Sequence, residues 1–170
     1  MTNGNGNHTE IKKYKFLFVS WEALSGDLAW KIKNEGHEVK CYVKDVTDEY
    51  DGFLEKVSDW KEYVDWADVI VFDDVEFGEI SDKLRRNDKL VIGGSAYTDR
   101  LEMDRDFGQI EMKKYGVNTL PQWQFSSYDE AIEFIQKNPE RYVLKPSGNT
   151  PSGGKELLFI GQEEDSKDLL

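Results

Sequence analysis

What this chain lacks narrows its function first. It has one cysteine, Cys41, so no internal disulfide can form. Its flanks, Val39-Lys40 and Tyr42-Val43, read as strand, which makes Cys41 a buried structural thiol rather than a nucleophile. There are two histidines, His8 in a polar tail and His37 in a turn. Neither has partners at metal-ligand spacing, which argues against a zinc site and against a Ser–His–Asp triad. Basic excess is missing too: the formal net charge is −12. That disfavours a nucleic-acid binder and a protein that docks on anionic lipid. No apolar run approaches the length of a membrane span, and no secretory leader is read at the start. The expected compartment is the cytoplasm.

What is present suffices for a core. Of the 170 residues, 38% are hydrophobic and 13% aromatic. That length holds one domain, or one domain and part of another. Any phosphate site in so acidic a chain must be a local positive island.

The first ten residues, rich in Asn, Gly and Thr, begin a tail expected to be disordered over 1–13. Beyond it, strands are expected at 15–20, 38–43, 69–72 and 90–92, with helices between them. The first helix, about 24–35, has Ser25 as a candidate cap and Gly36 at its end. Tyr50, Phe53, Leu54, Val57, Trp60 and Val64 recur near a 3.6 period and predict a second helix. A short helix is expected at 78–86. Alternating strands and helices predict an α/β domain with a doubly wound parallel sheet over 14–117.

The pattern then changes. A long helix is expected over 98–115, ended by Gly116, then a strand at 122–125. Ser127 and Glu130 form a capping box for a helix that turns Ala131, Ile132 and Ile135 inward. Residues 118–170 are expected to start a small second α+β domain.

Chemistry concentrates in three places. Arg141 to Lys145 reads as a strand closed by a lysine, followed by Pro146, a loop from Ser147 and Gly148 to Gly153, Gly154 and Lys155, and a second strand. Small residues let the backbone approach an anion, and lysines add point charges. The loop departs from a P-loop, because Gly154 stands where its lysine belongs and the sequence after it reads as strand rather than helix. Two readings of the loop stand: a nucleotide-phosphate flap, or an ordinary hairpin loop. Asp73 and Asp74 close a strand, where open α/β sheets carry ligands. They could bind a substrate amine or a metal-bound water, or merely form a solvated acidic loop that caps the next helix. Gly93-Gly94-Ser95 could cradle a phosphate at the start of the next helix, or form a tight turn that needs glycine. No catalytic residue and no metal ligand is assigned.

The Val143-Leu144-Lys145-Pro146 strand with its glycine loop resembles the first nucleotide-binding strand pair of ATP-grasp enzymes. Leu101-Glu102-Met103-Asp104-Arg105-Asp106-Phe107 and the stretch from Met112 to Pro121 resemble the helix and linker joining two domains in the phosphoribosylamine–glycine ligase family. The chain departs from that pattern twice. Arg105 stands where the family usually has lysine, and the turn after the first strand, Ser20 to Gly26, has a single glycine. The resemblance implies a Rossmann-like pre-ATP-grasp domain followed by part of the nucleotide-binding subdomain. It implies ATP, with Mg²⁺ in a full-length enzyme, contacted by Arg105, Lys145, Ser147, Gly148, Gly153, Gly154 and Lys155. It implies a turn at Gly93, Gly94 and Ser95 like the family's, and with Asp73 and Asp74, read from their strand-end position, these residues are the expected small-molecule substrate site. By the same resemblance the chain is the N-terminal segment of a carboxylate–amine ligase that works through an acyl phosphate, with the metal ligands in a later portion, so that it is inactive alone. The rival reading is a non-catalytic Rossmann-like module that binds a nucleotide or small ligand.

Overall fold

A computed structural model describes residues 12–45, 47–145 and 159–169. Most of the expected tail and the loop residues Ser147, Gly148, Gly153, Gly154 and Lys155 lie outside them. The chain divides into two compact units, Met1–Asp99 and Arg100–Leu170.

The first unit is an α/β domain built on a five-stranded sheet. Its strands are β1 (Lys15–Ser20), β2 (Glu38–Val43), β3 (Glu55–Lys56), β4 (Val69–Phe72) and β5 (Leu90–Ile92), in the order β3-β2-β1-β4-β5. Every neighbouring pair is parallel. The chain winds outward from β1 to β3, then returns to the other side of β1. The order therefore reverses at β1 and β4, where such sheets place their ligand crevice.

Period-two alternation gives the sheet two apolar faces. Leu17, Val19, Ile70 and Phe72 bury one face under Trp60, Phe77 and Leu84. Phe18, Val39, Cys41 and Val71 bury the other under Ala29, Tyr50 and Leu54. Helix α1 (Gly26–Asn34) covers the second face and α2 (Gly78–Arg86) the first.

The predicted helix over 50–64 does not form. The segment runs through turns, the two-residue β3 and a 3₁₀ turn at Trp60–Tyr63. Tyr50 and Leu54 pack on one face of the sheet, Val57, Trp60 and Val64 on the other. One helix cannot serve both faces of a sheet, so the segment passes around its edge.

The predicted long helix is two helices, α3 (Ala96–Met103) and α4 (Arg105–Lys114). Asp104 divides them. Its backbone is extended, and its Oδ1 accepts the Phe107 N–H at 3.0 Å, capping α4. That N–H and Arg100 hold the Asp104 carboxyl below the usual carboxylate range. Gly116, at φ +73°, ends α4 as expected.

The second unit also holds α5 (Tyr128–Lys137) and an antiparallel pair, β6 (Val143–Leu144) and β7 (Phe159–Ile160). Ser127 Oγ caps α5 by accepting the Glu130 N–H at 3.3 Å, and Glu130 accepts from Ser126 in return. Residues 122–125 form no strand. Trp123 and Phe125 instead pack their rings at a tilt against Phe134, at 5.1 and 5.2 Å between centroids.

Candidate functional site

The carboxyl ends of β1 and β4 are joined by two aspartates. Asp74 Oδ2 accepts the Trp21 N–H at 2.6 Å and the Ser20 hydroxyl at 3.2 Å. Asp73 Oδ2 accepts both the backbone N–H and the hydroxyl of Ser25. Ser25 therefore serves Asp73 and makes no cap to α1. Asp73 Oδ1 is buried without a hydrogen-bond partner among the described residues. The aspartates thus hold the β1–α1 loop, and one carboxylate oxygen remains unused.

Aromatic rings finish this end of the sheet. Trp21 stacks on Phe77 at 4.3 Å, and Phe77 on Phe72 at 4.7 Å. The Trp21 indole donates to the Val75 carbonyl, and Lys44 places its ammonium 4.2 Å from the Trp21 ring centre. Trp21 reads in the sequence as a core or groove anchor, whereas Lys44 escaped the sequence reading. The one signal of Lys44 is position, since it directly follows β2.

The Gly93–Ser95 turn is held from α2. Arg85 donates to the carbonyls of Gly93 (2.7 Å), Gly94 (2.8 Å) and Val91 (3.4 Å) and pairs with Asp82. The other Asp82 oxygen accepts the Ala96 N–H at 3.0 Å. Ser95 N–H goes to Thr98 Oγ1 at 2.6 Å, and Thr98 N–H to Ser95 Oγ at 3.2 Å. Asp99 reaches back to accept the Gly78 N–H at 2.7 Å. Among the donors that open α3, the Ala96 and Thr98 N–H groups are engaged by this chain's own side chains. Gly93, at φ +153°, sits where a Cβ would lie 3.0 Å from the Phe72 carbonyl oxygen.

In the second unit, Lys145 directly follows β6 and is exposed. It makes no ion pair with any described residue. Arg105 opens α4, is exposed, and is likewise without an ion pair there. Its acidic neighbours are engaged elsewhere: Asp104 with Arg100 and the Phe107 N–H, Asp106 with Gln124. Two cations thus remain available to an anion. Among the described residues, no group of three or more His, Cys, Asp or Glu stands together to hold a metal, and no helix is long and apolar enough to cross a membrane.

No family model matches the chain. It is 24% identical over 168 residues to a phosphoribosylamine–glycine ligase of Fusobacterium nucleatum, covering 92% of this chain and 39% of that protein. A 67-residue stretch is 36% identical to the phosphoribosylamine–glycine ligase of Methanocorpusculum labreanum, covering 39% of this chain and 15% of that one. The fold matches N5-carboxyaminoimidazole ribonucleotide synthetase of Thermotoga maritima, with a TM-score of 0.62, 15% identity, and coverage of 89% of this chain and 41% of that one. It also matches the N5-carboxyaminoimidazole synthetase of Staphylococcus aureus, solved with ADP, at a TM-score of 0.58 and 16% identity. The chain spans about two fifths or less of the length of these relatives.

These matches support an α/β fold with an ATP-grasp-like relation. The sequence relatives are phosphoribosylamine–glycine ligases, and the chain is similar to a part of them.

Proposed function

We propose that this chain is the N-terminal segment of an ATP-dependent carboxylate–amine ligase resembling phosphoribosylamine–glycine ligase, a cytoplasmic enzyme of purine biosynthesis. The observation that carries the reading is similarity to such a ligase along 92% of the chain. Lys145, directly after β6 and without an ion pair among the described residues, adds to it.

In this reading ATP, used with Mg²⁺, supplies the phosphoryl group that converts a substrate carboxylate to an acyl phosphate, which an amine then attacks. The described residues fit the nucleotide part. Lys145 and Arg105 offer exposed cations to phosphate oxygens, with no ion pair to a carboxylate among the described residues. Ser147, Gly148, Gly153, Gly154 and Lys155 complete the nucleotide-binding set. No step is assigned to the metal, because the described residues offer it no ligand cluster. The acid and amine are assigned to the first unit, near Asp73, Asp74 and Gly93 to Ser95.

The test is an ATP titration of the full-length protein. Lys145→Ala should weaken binding by about 1.5–3 kcal/mol, or roughly 10- to 100-fold. Arg105→Ala should weaken it by a comparable or smaller amount, and Lys113→Ala should leave it unchanged. If folded Lys145→Ala binds ATP as tightly as the parent, the loop is an ordinary hairpin and the reading fails.

A further inference from the structure

Two side chains receive the chain where it enters the sheet. The Tyr14 N–H donates to His37 Nδ1 at 3.2 Å, and the Lys15 N–H donates to Asp68 Oδ2 at 2.8 Å. His37 directly precedes β2, and Asp68 directly precedes β4. Each clamp is closed by a backbone bond. The Tyr14 carbonyl accepts the Glu38 N–H, and the Lys15 carbonyl accepts the Asp68 N–H, both at 2.9 Å. His37 thus adds a bond just ahead of the first ladder pair, Lys15 with Glu38.

The ring is placed to do this. It lies at a tilt to Tyr14 and to Phe16, with centroids 5.8 and 5.4 Å away. Those two residues share one side of the strand, so the imidazole is set across both. Gly36, at φ +97°, turns the chain out of α1 and delivers His37 there.

A backbone N–H can only donate, so the ring nitrogen facing Tyr14 must offer a lone pair. The bond therefore needs the neutral imidazole with its proton on Nε2. A proton taken from solvent at Nδ1 makes both ring nitrogens donors and sets two N–H groups against each other.

The charges around the ring are balanced. Lys33 of α1, Glu38 and Lys40 of β2 and Glu55 of β3 line the surface beside His37, with Trp66. Lys40 pairs with Glu55, and Lys33 gives its ammonium to the Phe53 carbonyl. Lys12 stands 4.9 Å from the Tyr14 ring centre, and Asp68 serves Lys15. With cations and carboxylates matched in this way, the hydrogen bond decides which form of the ring is held.

We propose that His37 is a pH-operated latch on the entry of the chain into the sheet. Neutral, it accepts the Tyr14 N–H; protonated at Nδ1, it releases that residue. The latched form holds one proton fewer. It is therefore favoured as pH rises and lost as pH falls through the range, from about 8 to 5, where imidazole ordinarily changes charge. A carboxyl group keeps an acceptor oxygen in either protonation state, so Asp68 still holds Lys15 and the release is confined to Tyr14. The latch belongs to the first unit alone and does not depend on the ligase reading.

The experiment is an NMR titration of the whole chain from pH 8 to pH 5. At pH 8 the ring nitrogen shifts of His37 should show the proton on Nε2. The Tyr14 amide should titrate with the same midpoint as the His37 ring, and its protection from exchange should fall about three- to tenfold, while that of Lys15 holds. His37→Phe keeps a ring without an acceptor. It should leave the Tyr14 amide at its acid position at every pH, which also excludes His8 as the source of the titration. Three results would each overturn the proposal: a proton on Nδ1 at pH 8, a Tyr14 amide that does not follow the His37 ring, or an unchanged Tyr14 titration in folded His37→Phe. The first two are read in the parent protein, so the test stands even where the variant does not fold.

Discussion

Asp74 and Trp21 stand 53 positions apart in sequence, and the Trp21 N–H meets Asp74 Oδ2 at 2.6 Å. The same oxygen accepts from Ser20, which is 1% exposed. One carboxylate therefore ties β4 to the loop that leaves β1. Hydrogen bonds to a charged group are worth about 1.5–3 kcal/mol each, and an orphaned buried donor costs a further penalty. Asp74→Ala should lower the unfolding free energy by about 2–4 kcal/mol in a urea melt, with Asp74→Asn between it and the parent. An unchanged midpoint for the alanine variant would refute the tie.

Gly78 begins α2 where the β5–α3 turn crosses it. A Cβ there would lie 2.3 Å from the Ser95 carbonyl carbon and oxygen and 2.5 Å from the Ala96 nitrogen. These are backbone atoms and cannot swing aside. Gly78→Ala should cost about 3 kcal/mol or more, at the top of the range for overpacking. The amide shifts of Ser95 and Ala96 should move with it. A variant as stable as the parent, with those shifts in place, would contradict the contact.

Ser127 and Ser25 both precede helices, and their substitutions should differ. Ser127 Oγ is a true cap, so Ser127→Ala should cost about 1 kcal/mol and speed amide exchange in the first turn of α5. Ser25→Ala removes a donor to Asp73 instead. It should loosen the β1–α1 loop while leaving exchange within α1 unchanged. Equal fraying of the two helices would show that Ser25 caps after all.

Cys41 is fully buried, and burial, followed by the charge of Asp73, pushes its thiol pKa up to about 12. In the unfolded chain the thiol titrates near its ordinary value of about 8.5. Between these values the unfolded state loses its proton first, so unfolding becomes easier as pH rises. The thiol's contribution is thus intact below about pH 8.5 and is lost progressively toward pH 12. Iodoacetamide labelling at pH 8 should be slow in the native protein and should follow the unfolded fraction as urea is added. Fast labelling without denaturant would refute the burial.

Much of the first unit was legible in the sequence because its signals are local. The runs at 15–20, 38–43 and 69–72 are dense in β-branched and aromatic residues, and all three form strands at those bounds. The segment 50–64 misled because its apolar spacing suits a helix, whereas its side chains serve two faces of a sheet. Only the tertiary fold separates Leu54 from Trp60 in that way. Asp104 inside the expected long helix was readable as a break, since aspartate competes for backbone donors and favours caps. The place of Lys145 after a strand was also legible. The freedom of Arg105 was not, because Asp104 and Asp106 beside it look like partners until the fold gives them Phe107, Arg100 and Gln124. The bonds of Asp73 and Asp74 span about fifty residues, beyond any local pattern.

Arg85 also affects how this molecule meets its neighbours in solution. Strand β5 borders the sheet, and a bordering strand invites another chain to pair with it. This one is three residues long, and the carbonyl of its middle residue, Val91, already accepts from a guanidinium. A second chain would have to displace that cation to gain a foothold, so Arg85 works against aggregation along this border as well as holding the turn.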